Sequence, residues 1–248
     1  MKTALLTIGH DPIAYKVLRT LSECSDLRAV VYSRRNINQK ASKFERIKEY
    51  GLWYILQHII SLITRKFFNW EITDKSLKSL GINYRYWHKQ SDQSSILNWL
   101  NEQAIEVVVI CSFQYILKSN FCNQFQNCIN IHPAYLPDYR GPEPIFWGLL
   151  RNEKTFGITL HRVDSGIDTG SILAQEEVAA PFLKLSILVE YRLAKIASGL
   201  LENLIKDIKR GTVFEKEQIG GFYLPAPTLK NRKALIKKPT PEESKKDP

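Results

Sequence analysis

The chain has 248 residues, of which 44% are hydrophobic and 24% charged, and it carries a formal net charge of +10. These values exclude a disordered chain, a collagen-like repeat and a small disulfide scaffold, and they allow one large domain with an appendage. Because the four cysteines form no C-x-x-C pair, and two of them lie in or beside apolar runs, we expect a reducing, cytoplasmic setting.

The predicted elements alternate between strands and helices along the chain. Residues 4–8 predict a buried strand, and residues 12–22 predict an amphipathic helix directly after it. Further short apolar runs predict strands over residues 27–32, 107–111, 128–132 and 157–163. Helical spacing predicts helices over residues 39–68, 92–102 and 184–209, the last of them stopped by Gly211. This alternation is typical of an α/β fold, a Rossmann-like, mostly parallel sheet with helices on both faces.

Three parts are expected along the chain. Residues 1–183 predict the α/β domain, and residues 184–233 predict a C-terminal helix followed by a short β-hairpin. The two strands of that hairpin are predicted at residues 212–214 and 220–224. Residues 234–248 are rich in Lys, Pro and Glu and predict a disordered basic tail.

Positive charge is concentrated in two segments of the chain. Residues 34–89 carry 12 basic and 4 acidic side chains, and residues 230–248 carry 7 and 3. Such segments suit nucleic acid, anionic lipid or an anionic small substrate, and they also suit an ordinary solvated surface, which we favour. No zinc-finger spacing or aromatic RNA-binding motif accompanies the charge, so no nucleic-acid partner is expected.

Two apolar runs decide whether the sequence predicts a signal peptide or a membrane span. The first, residues 4–8, is too short for a signal peptide. The second, residues 52–63, is interrupted by Gln57 and His58 and falls short of the roughly 20 residues that a membrane span needs. We therefore expect no membrane span. A lone Gly9 follows the first predicted strand without a G-x-G-x-x-G motif, so NAD binding is not predicted either.

Asn130, His132 and Asp168 form the candidate catalytic set. Strand alternation places Asn130 and His132 on one side of a strand end, and a loop rich in Pro and Gly follows them. Taken singly, these three residues are more often turn, strand-end or capping residues. Together they suit acyl transfer to an amine, in which Asn and His N–H groups stabilise an oxyanion while Asp orients the His and helps to remove the amine proton.

The sequence indicates no catalytic or metal-binding role for the other histidines and cysteines. The remaining histidines, His10, His58, His88 and His161, lack a comparable setting. No cluster of His, Cys and carboxylate residues has metal-ligand spacing, so no metal is expected.

Three motifs together resemble the signature of the folate-dependent formyltransferases, over most of residues 1–180. They are Asn130-Ile131-His132, the Leu136-Pro137-Asp138-Tyr139-Arg140-Gly141 loop, and Asp164-Ser165-Gly166-Ile167-Asp168-Thr169-Gly170. The resemblance implies a Rossmann-like domain that takes a formyl group from N10-formyltetrahydrofolate, with Asn130, His132 and Asp168 at the catalytic positions. It also implies a pterin pocket, whose two walls are Phe113, Gln114, Tyr115, Ile116 and Leu117, and Asp164, Ser165, Gly166 and Ile167. Alternatively, the side chains of Phe113, Ile116 and Leu117 belong to the hydrophobic core and do not line the pocket.

Branches of that family differ in their acceptor. Methionyl-tRNA formyltransferases resemble the chain in Leu-Pro-x-Tyr-Arg-Gly but carry a substantial C-terminal domain, for which little sequence remains here. A glycinamide ribonucleotide enzyme is expected to have a Gly- and Ser-rich phosphate loop after its first strand, where this chain has Gly9-His10-Asp11-Pro12. The run from Arg140 to Trp147 and the expected short hairpin resemble the sugar-nucleotide N-formyltransferases.

The expected acceptor is therefore the amine of a nucleoside-diphosphate amino sugar, of the 4-amino-4,6-dideoxy type used in surface polysaccharide and lipopolysaccharide O-antigen. Methionyl-tRNA and glycinamide ribonucleotide are the alternatives. Candidate acceptor contacts are Gly9, His10, Arg140, Gly141, Glu143 and Trp147. A homodimer through the C-terminal hairpin is expected. A folate-binding module without turnover and a basic scaffold for nucleic acid or lipid remain as other classes, and the intact Asn130, His132 and Asp168 argue against the first of them.

Overall fold

A seven-stranded open sheet forms the centre of the protein in the computed structural model, which describes residues 1–33, 59–60, 62–64, 70–117, 119–183 and 185–236. The strands are β1 (Lys2–Thr7), β2 (Asp26–Ser33), β3 (Asn83–Trp87), β4 (Val107–Cys111), β5 (Asn127–His132), β6 (Thr155–Arg162) and β7 (Ile172–Ala179). Their order across the sheet is β3-β2-β1-β4-β5-β6-β7. The predicted Rossmann-like, mostly parallel α/β fold is thereby confirmed.

The first five strands are parallel, whereas β6 runs antiparallel to both β5 and β7. The expectation of a mostly parallel sheet thus holds, and the antiparallel strands lie at this end of the sheet. Residues 163–171, which connect β6 to β7, are too few to join two parallel strands, because such a crossover requires about a dozen residues or more. This antiparallel turn carries the acidic Gly-rich loop.

Helices cover both faces of the sheet. They are α1 (Pro12–Cys24), α2 (Asp74–Ser79), α3 (Gln93–Glu102), α4 (Ser119–Cys122), α5 (Pro144–Leu150), α6 (Ser186–Arg210) and α7 (Leu229–Ile236). The helices predicted over residues 12–22, 92–102 and 184–209 are confirmed as α1, α3 and α6. Most of the helix predicted over residues 39–68 lies outside the described residues, although residues 59–60 and 62–64 are helical.

Local sequence explains where the two longest helices begin or end. The Asp11 side chain caps α1 by accepting a hydrogen bond from the Ala14 amide at 2.8 Å. At the other end of the domain, α6 stops at Gly211, whose φ of 70° is a left-handed conformation that favours glycine. None of the described helices has the length and hydrophobicity of a membrane span.

Strand alternation divides the core into two layers. Leu5, Val30 and Val109 face α1 and α6, and they pack in one cluster with Val17, Leu21, Leu193 and Leu201. The alternate strand residues, including Leu6, Val31 and Val108, face α3 and α4 and pack with Ile96, Leu100 and Phe121. The apolar face of α6 thus shares the core of the sheet.

Residues 215–225, here termed the strap, replace the predicted C-terminal hairpin. Segments 212–214 and 220–224 do not pair with each other; instead Lys216 bridges to Ile172 and Tyr223 bridges to Arg140. The hairpin prediction was wrong because these backbone groups find partners in two loops of the main domain. The basic tail was predicted to begin at residue 234, but residues 234–236 belong to α7, and residues 237–248 lie outside the described residues.

Candidate active site

A cleft with a volume of about 790 Å³ opens at the carboxyl ends of the central strands. Ile8, which follows β1, and Ser112, which follows β4, lie in its wall. The chain reverses its direction of progress across the sheet between these two neighbouring strands, and ligands of open α/β sheets bind at such a point. Asn130, His132 and Asp168 all line this cleft, so the tertiary structure brings the three predicted catalytic residues together.

Asn130 lies opposite His161 in the antiparallel register of β5 and β6. The Asn130 Nδ2 atom donates to Asp168 Oδ1 at 3.2 Å and lies 3.1 Å from His161 Nε2. His161 Nδ1 is 2.7 Å from the Arg162 carbonyl oxygen, and because a carbonyl only accepts, Nδ1 carries the hydrogen. The Asn130 amide nitrogen thus lies within hydrogen-bond distance of both the Asp168 carboxylate and the His161 ring.

His132 is 5% exposed, and its ring is fixed by a backbone carbonyl. Its Nε2 atom is 2.9 Å from the Tyr139 carbonyl oxygen, so Nε2 carries the hydrogen. The Nδ1 atom faces Asp168 Oδ2 at 3.6 Å. Burial lowers the pKa of His132 from 6.5, although the Asp168 carboxylate acts in the opposite direction. His132 is therefore a neutral imidazole near neutral pH, with Nδ1 as its acceptor atom.

Asp168 joins the other groups through both carboxylate oxygens. Its Oδ2 accepts a hydrogen bond from the Gly141 amide at 2.9 Å, in addition to the Oδ1 contact with Asn130. Burial by itself raises the pKa of Asp168, but His161, His132 and the Gly141 amide outweigh it and lower the pKa from 3.8 to about 2. Asp168 has a φ of 54°, in the left-handed region that few residues other than glycine, Asn and Asp adopt.

The loop after β5 supplies the partners of both His132 and Asp168. Tyr139 has a φ of 58°, which directs its carbonyl to His132, and its side chain is anchored by a hydrogen bond to Glu153. Gly141 has a φ of 103°, and a Cβ atom there would overlap the Leu224 carbonyl oxygen of the strap. Only glycine fits this position, which explains the glycine of the Tyr-Arg-Gly motif.

The residues predicted for the pterin pocket gather at one end of the cleft. Eight of the nine line it: Phe113, Gln114, Tyr115, Ile116, Leu117, Asp164, Gly166 and Ile167. Ser165 does not. Phe113 and Tyr115 pack their rings against the buried Trp87, with centroids 5.3 and 5.7 Å apart. Leu117 is also a core residue, at 8% exposure, whereas Ile116 is 70% exposed. The wall formed by residues 113–117 is therefore mainly apolar and aromatic.

Of the six residues predicted to contact the acceptor, Gly141 and Glu143 line the cleft and the other four do not. His10 lies on the surface, 3.6 Å from Glu71. Gly9 packs against the Tyr32 ring. The Arg140 backbone pairs with the strap, and the Trp147 indole N–H donates to the Pro225 carbonyl at 3.0 Å. In this structure Arg140 and Trp147 hold the strap in place.

Sequence reasoning missed several described residues of the site. His161 stands within an otherwise largely apolar strand, and that interruption was a usable signal for it. Arg232 of α7 reaches the cleft, where it pairs with Glu143 at 3.0 Å and covers the Phe146 ring at 5.3 Å. Gln218 of the strap donates to backbone carbonyls beside Asp168. No local pattern indicated Arg232 or Gln218.

The described lining of the cleft is acidic. Its carboxylates are Asp11, Glu143, Asp164, Asp168 and Glu190, and Arg232 is the one arginine or lysine among the described lining residues. Within the described parts of the chain, no group of three or more His, Cys, Asp and Glu side chains is arranged to hold a metal ion. The charge of the described wall is thus opposite in sign to the net charge of the chain.

Comparison with known proteins yields one family match and several relatives. The sequence model of the formyl transferase family matches residues 60–196. The methionyl-tRNA formyltransferase of Syntrophus aciditrophicus (strain SB) is 31% identical over 144 residues, which are 58% of this chain and 46% of that protein. The chain spans about half the length of the curated relatives it matches.

Two solved structures share the fold. Glycinamide ribonucleotide transformylase 1 from Symbiobacterium toebii superposes with a TM-score of 0.64 at 15% identity, covering 88% of this chain and 93% of that one. WlaRD, a sugar 3N-formyl transferase solved in the presence of dTDP and 5-N-formyl-THF, superposes with a TM-score of 0.60 at 18% identity, covering 91% and 70%. At such identities the likeness shows the fold alone.

Proposed function

This chain belongs to the formyl transferase family, and from that membership we propose that it transfers a formyl group from N10-formyltetrahydrofolate to the amine of a nucleoside-diphosphate amino sugar. The observation that carries the proposal is the Asp168 carboxylate, which joins Asn130, His132 and the Gly141 amide inside the cleft. A buried carboxylate beside a neutral imidazole is suited to proton transfer from an amine.

The dimensions and lining of the cleft suit the formyl donor. Its volume of about 790 Å³ lies in the range of 300–1,000 Å³ typical of pockets for ligands of this size. Residues 113–117 form one wall that would hold the pterin, and Asp164, Gly166 and Ile167 form the other. The rings packed around Trp87 support the first wall. When bound there, N10-formyltetrahydrofolate supplies the formyl group.

His132 and Asp168 act on the acceptor amine in this proposal. The amine must be neutral to attack the formyl carbon. It then loses one proton, and the donor nitrogen that gives up the formyl group gains one as its bond to the formyl carbon breaks. His132 Nδ1 is the acceptor for the proton that the amine loses, because its Nε2 hydrogen is already donated to Tyr139. The Asp168 carboxylate at 3.6 Å stays ionised and stabilises the imidazolium that forms.

Asn130 orients Asp168 and is the candidate donor to the formyl oxygen. In the arrangement described, its Nδ2 hydrogens are held by Asp168 and His161. Donation to the formyl oxygen therefore requires one of these two hydrogen bonds to be exchanged. Removing a donor of this kind in other enzymes costs about 10²–10³ in rate.

Two features of the cleft support a sugar-nucleotide acceptor. Tyr223 of the strap is half exposed and lines the cleft, where its ring is available to stack on a sugar or a base. Arg232 offers a guanidinium suited to a diphosphate. The acidic remainder of the described wall favours an acceptor that carries an amine. We further propose that the product serves surface polysaccharide.

Methionyl-tRNA is the second candidate acceptor, because the relative from Syntrophus aciditrophicus is a methionyl-tRNA formyltransferase. A direct test is formyl transfer by the purified full chain with N10-formyltetrahydrofolate and three acceptors: nucleotide-linked amino sugars, methionyl-tRNA and glycinamide ribonucleotide. We expect the highest kcat/KM with an amino-sugar nucleotide. His132→Ala should abolish transfer, while His88→Ala, a change at an exposed histidine, should preserve it. A higher kcat/KM with methionyl-tRNA would favour the second candidate.

A further inference from the structure

The strap contacts both loops that contribute to the candidate site. Its Lys216 exchanges two backbone hydrogen bonds with Ile172, at 2.8 and 2.9 Å, just after the loop that carries Asp168. Its Leu224 amide donates to the Arg140 carbonyl at 2.8 Å, and the Arg140 amide donates to Phe222 at 3.1 Å. The strap therefore connects the Asp168 loop to the loop that supplies the Gly141 amide.

Gln218 lies between these two attachments, and its side chain reaches the backbone of the Asp168 loop. The Nε2 atom donates to the carbonyl oxygen of Asp168 at 2.9 Å and to that of Gly170 at 2.7 Å. Both amide hydrogens of Gln218 are used by these two bonds. Gly170 is itself tightly placed, because a Cβ atom there would overlap the Arg162 carbonyl oxygen. The loop is thus held between β6 and the strap.

The orientation of the Gln218 amide is fixed by what it binds. Its Oε1 atom is buried and makes no hydrogen bond to any described residue. A buried oxygen without a partner is unfavourable, so a rotation of the amide would be expected unless both hydrogens were needed. The carbonyl oxygens of Asp168 and Gly170 can only accept hydrogen bonds, so both require the NH₂ group of Gln218 on their side.

The backbone of Asp168 lies in a sparsely populated region. Its φ is 54°, in the left-handed region that few residues other than glycine, Asn and Asp adopt, and the two Gln218 hydrogen bonds hold the loop in that conformation. The same backbone sets the position of the carboxylate that accepts from Gly141 and Asn130. Fixing the carbonyls at residues 168 and 170 therefore fixes the carboxylate.

We propose that Gln218 is a positioning residue for Asp168, which acts through the carbonyls of Asp168 and Gly170 to hold the carboxylate against the Gly141 amide. The proposal rests on the proposed function for its effect on catalysis. Its effect on geometry is independent of that function, and the two are measured separately.

The test compares Gln218→Met, which keeps the length of the side chain and removes both donors, with Glu217→Gln, a change at the exposed neighbour. Amide hydrogen exchange is followed by NMR at three positions of the folded full chain. In Gln218→Met we expect the Gly141 amide to exchange at least about tenfold faster, because its acceptor moves. The Arg140 and Leu224 amides, which form the backbone hydrogen bonds between the Tyr-Arg-Gly loop and the strap, should change less than about twofold.

Kinetics of formyl transfer complete the test. In Gln218→Met we expect kcat to fall at least about tenfold, while the KM for the formyl donor and the KM for the acceptor stay within about threefold of the wild type. Glu217→Gln should change none of these values. An unchanged Gly141 amide, or faster exchange at all three amides, would overturn the proposal, since the second result means that the strap has a general structural role. A wild-type chain that transfers no formyl group refutes the proposed function and leaves the exchange result as the test of positioning.

Discussion

Asp168 is the residue on which the candidate site depends. It is the common neighbour of Asn130, His132 and His161, and it is 14% exposed in its side chain. Its carboxylate is stable in the ionised form only because hydrogen bonds and imidazole groups compensate for burial. Both the charge of the site and the orientation of its donors therefore depend on this one side chain.

Replacing Asp168 by Asn should lower both stability and activity. A pKa lowered from 3.8 to about 2 corresponds to about 2 kcal/mol of folding free energy at neutral pH. That contribution is present above about pH 4 and is lost as the pH falls towards 2, so the difference between variant and wild type should shrink over this window. Denaturant unfolding at several pH values measures it. Glu176→Gln, at an exposed position of β7, should change stability by less than about 0.5 kcal/mol.

The pH dependence of transfer should reflect His132. Because burial lowers the pKa of His132 from 6.5, the acidic limb of kcat/KM is expected below pH 6.5. Asp168 raises the pKa of His132, so Asp168→Asn should move this limb to still lower pH while reducing the maximal rate. A pH–rate profile of both proteins measures the two midpoints. A limb above pH 6.5 in the wild type, or a shift to higher pH in the variant, contradicts the assignment.

At the scale of elements, the antiparallel pair β6–β7 and the strap position the site. The β6–β7 connection brings Asp168 back over the end of β5, and the strap fixes that connection to the Tyr-Arg-Gly loop. Gly141 lies where the loop and the strap are in close contact. Elements outside the parallel sheet thus decide the geometry of the site.

Two glycine substitutions should act in opposite directions. Gly141→Ala forces a Cβ atom onto the Leu224 carbonyl at a φ of 103°, so we expect a loss of about 1–3 kcal/mol and weaker transfer. Gly199→Ala lies within α6, where a Cβ atom meets nothing within 4 Å, so we expect a gain of about 0.5–1 kcal/mol with unchanged transfer. Thermal unfolding and the transfer assay measure both. A stabilising Gly141→Ala would show that the strap can move away.

For the molecule as a whole, the net charge of the chain and the charge of the described cleft wall are opposite in sign. The net charge of +10 is concentrated in sequence at residues 34–89 and 230–248, of which residues 34–58 and 237–248 lie outside the described residues. The described wall of the cleft is mainly acidic, with Arg232 opposite Glu143. A charge count from the sequence therefore says little about the sign of the binding surface.

Arg232 should contribute to binding of an anionic acceptor. We expect Arg232→Ala to raise the KM for an amino-sugar nucleotide about tenfold at low ionic strength, with kcat little changed, because a guanidinium paired with a diphosphate is lost. The exposed neighbour Lys233→Ala is the matched control and should change KM less than twofold. Steady-state kinetics at two salt concentrations provide the measurement. Equal effects of the two variants would contradict a specific contact.

The α/β class, most of the strands and the helices α1, α3 and α6 follow from the sequence alone, because hydrophobic periodicity and capping residues are local signals. It also placed Asn130 and His132 together, since alternation fixes the side of a strand. The short strand β3, whose residues are of mixed polarity, was not predicted. Only the tertiary structure decided the positions of His161, Gln218 and Arg232, and it replaced the expected hairpin by the strap. The reason is that these contacts join residues 31 to 89 positions apart, through backbone groups and register that no local pattern encodes.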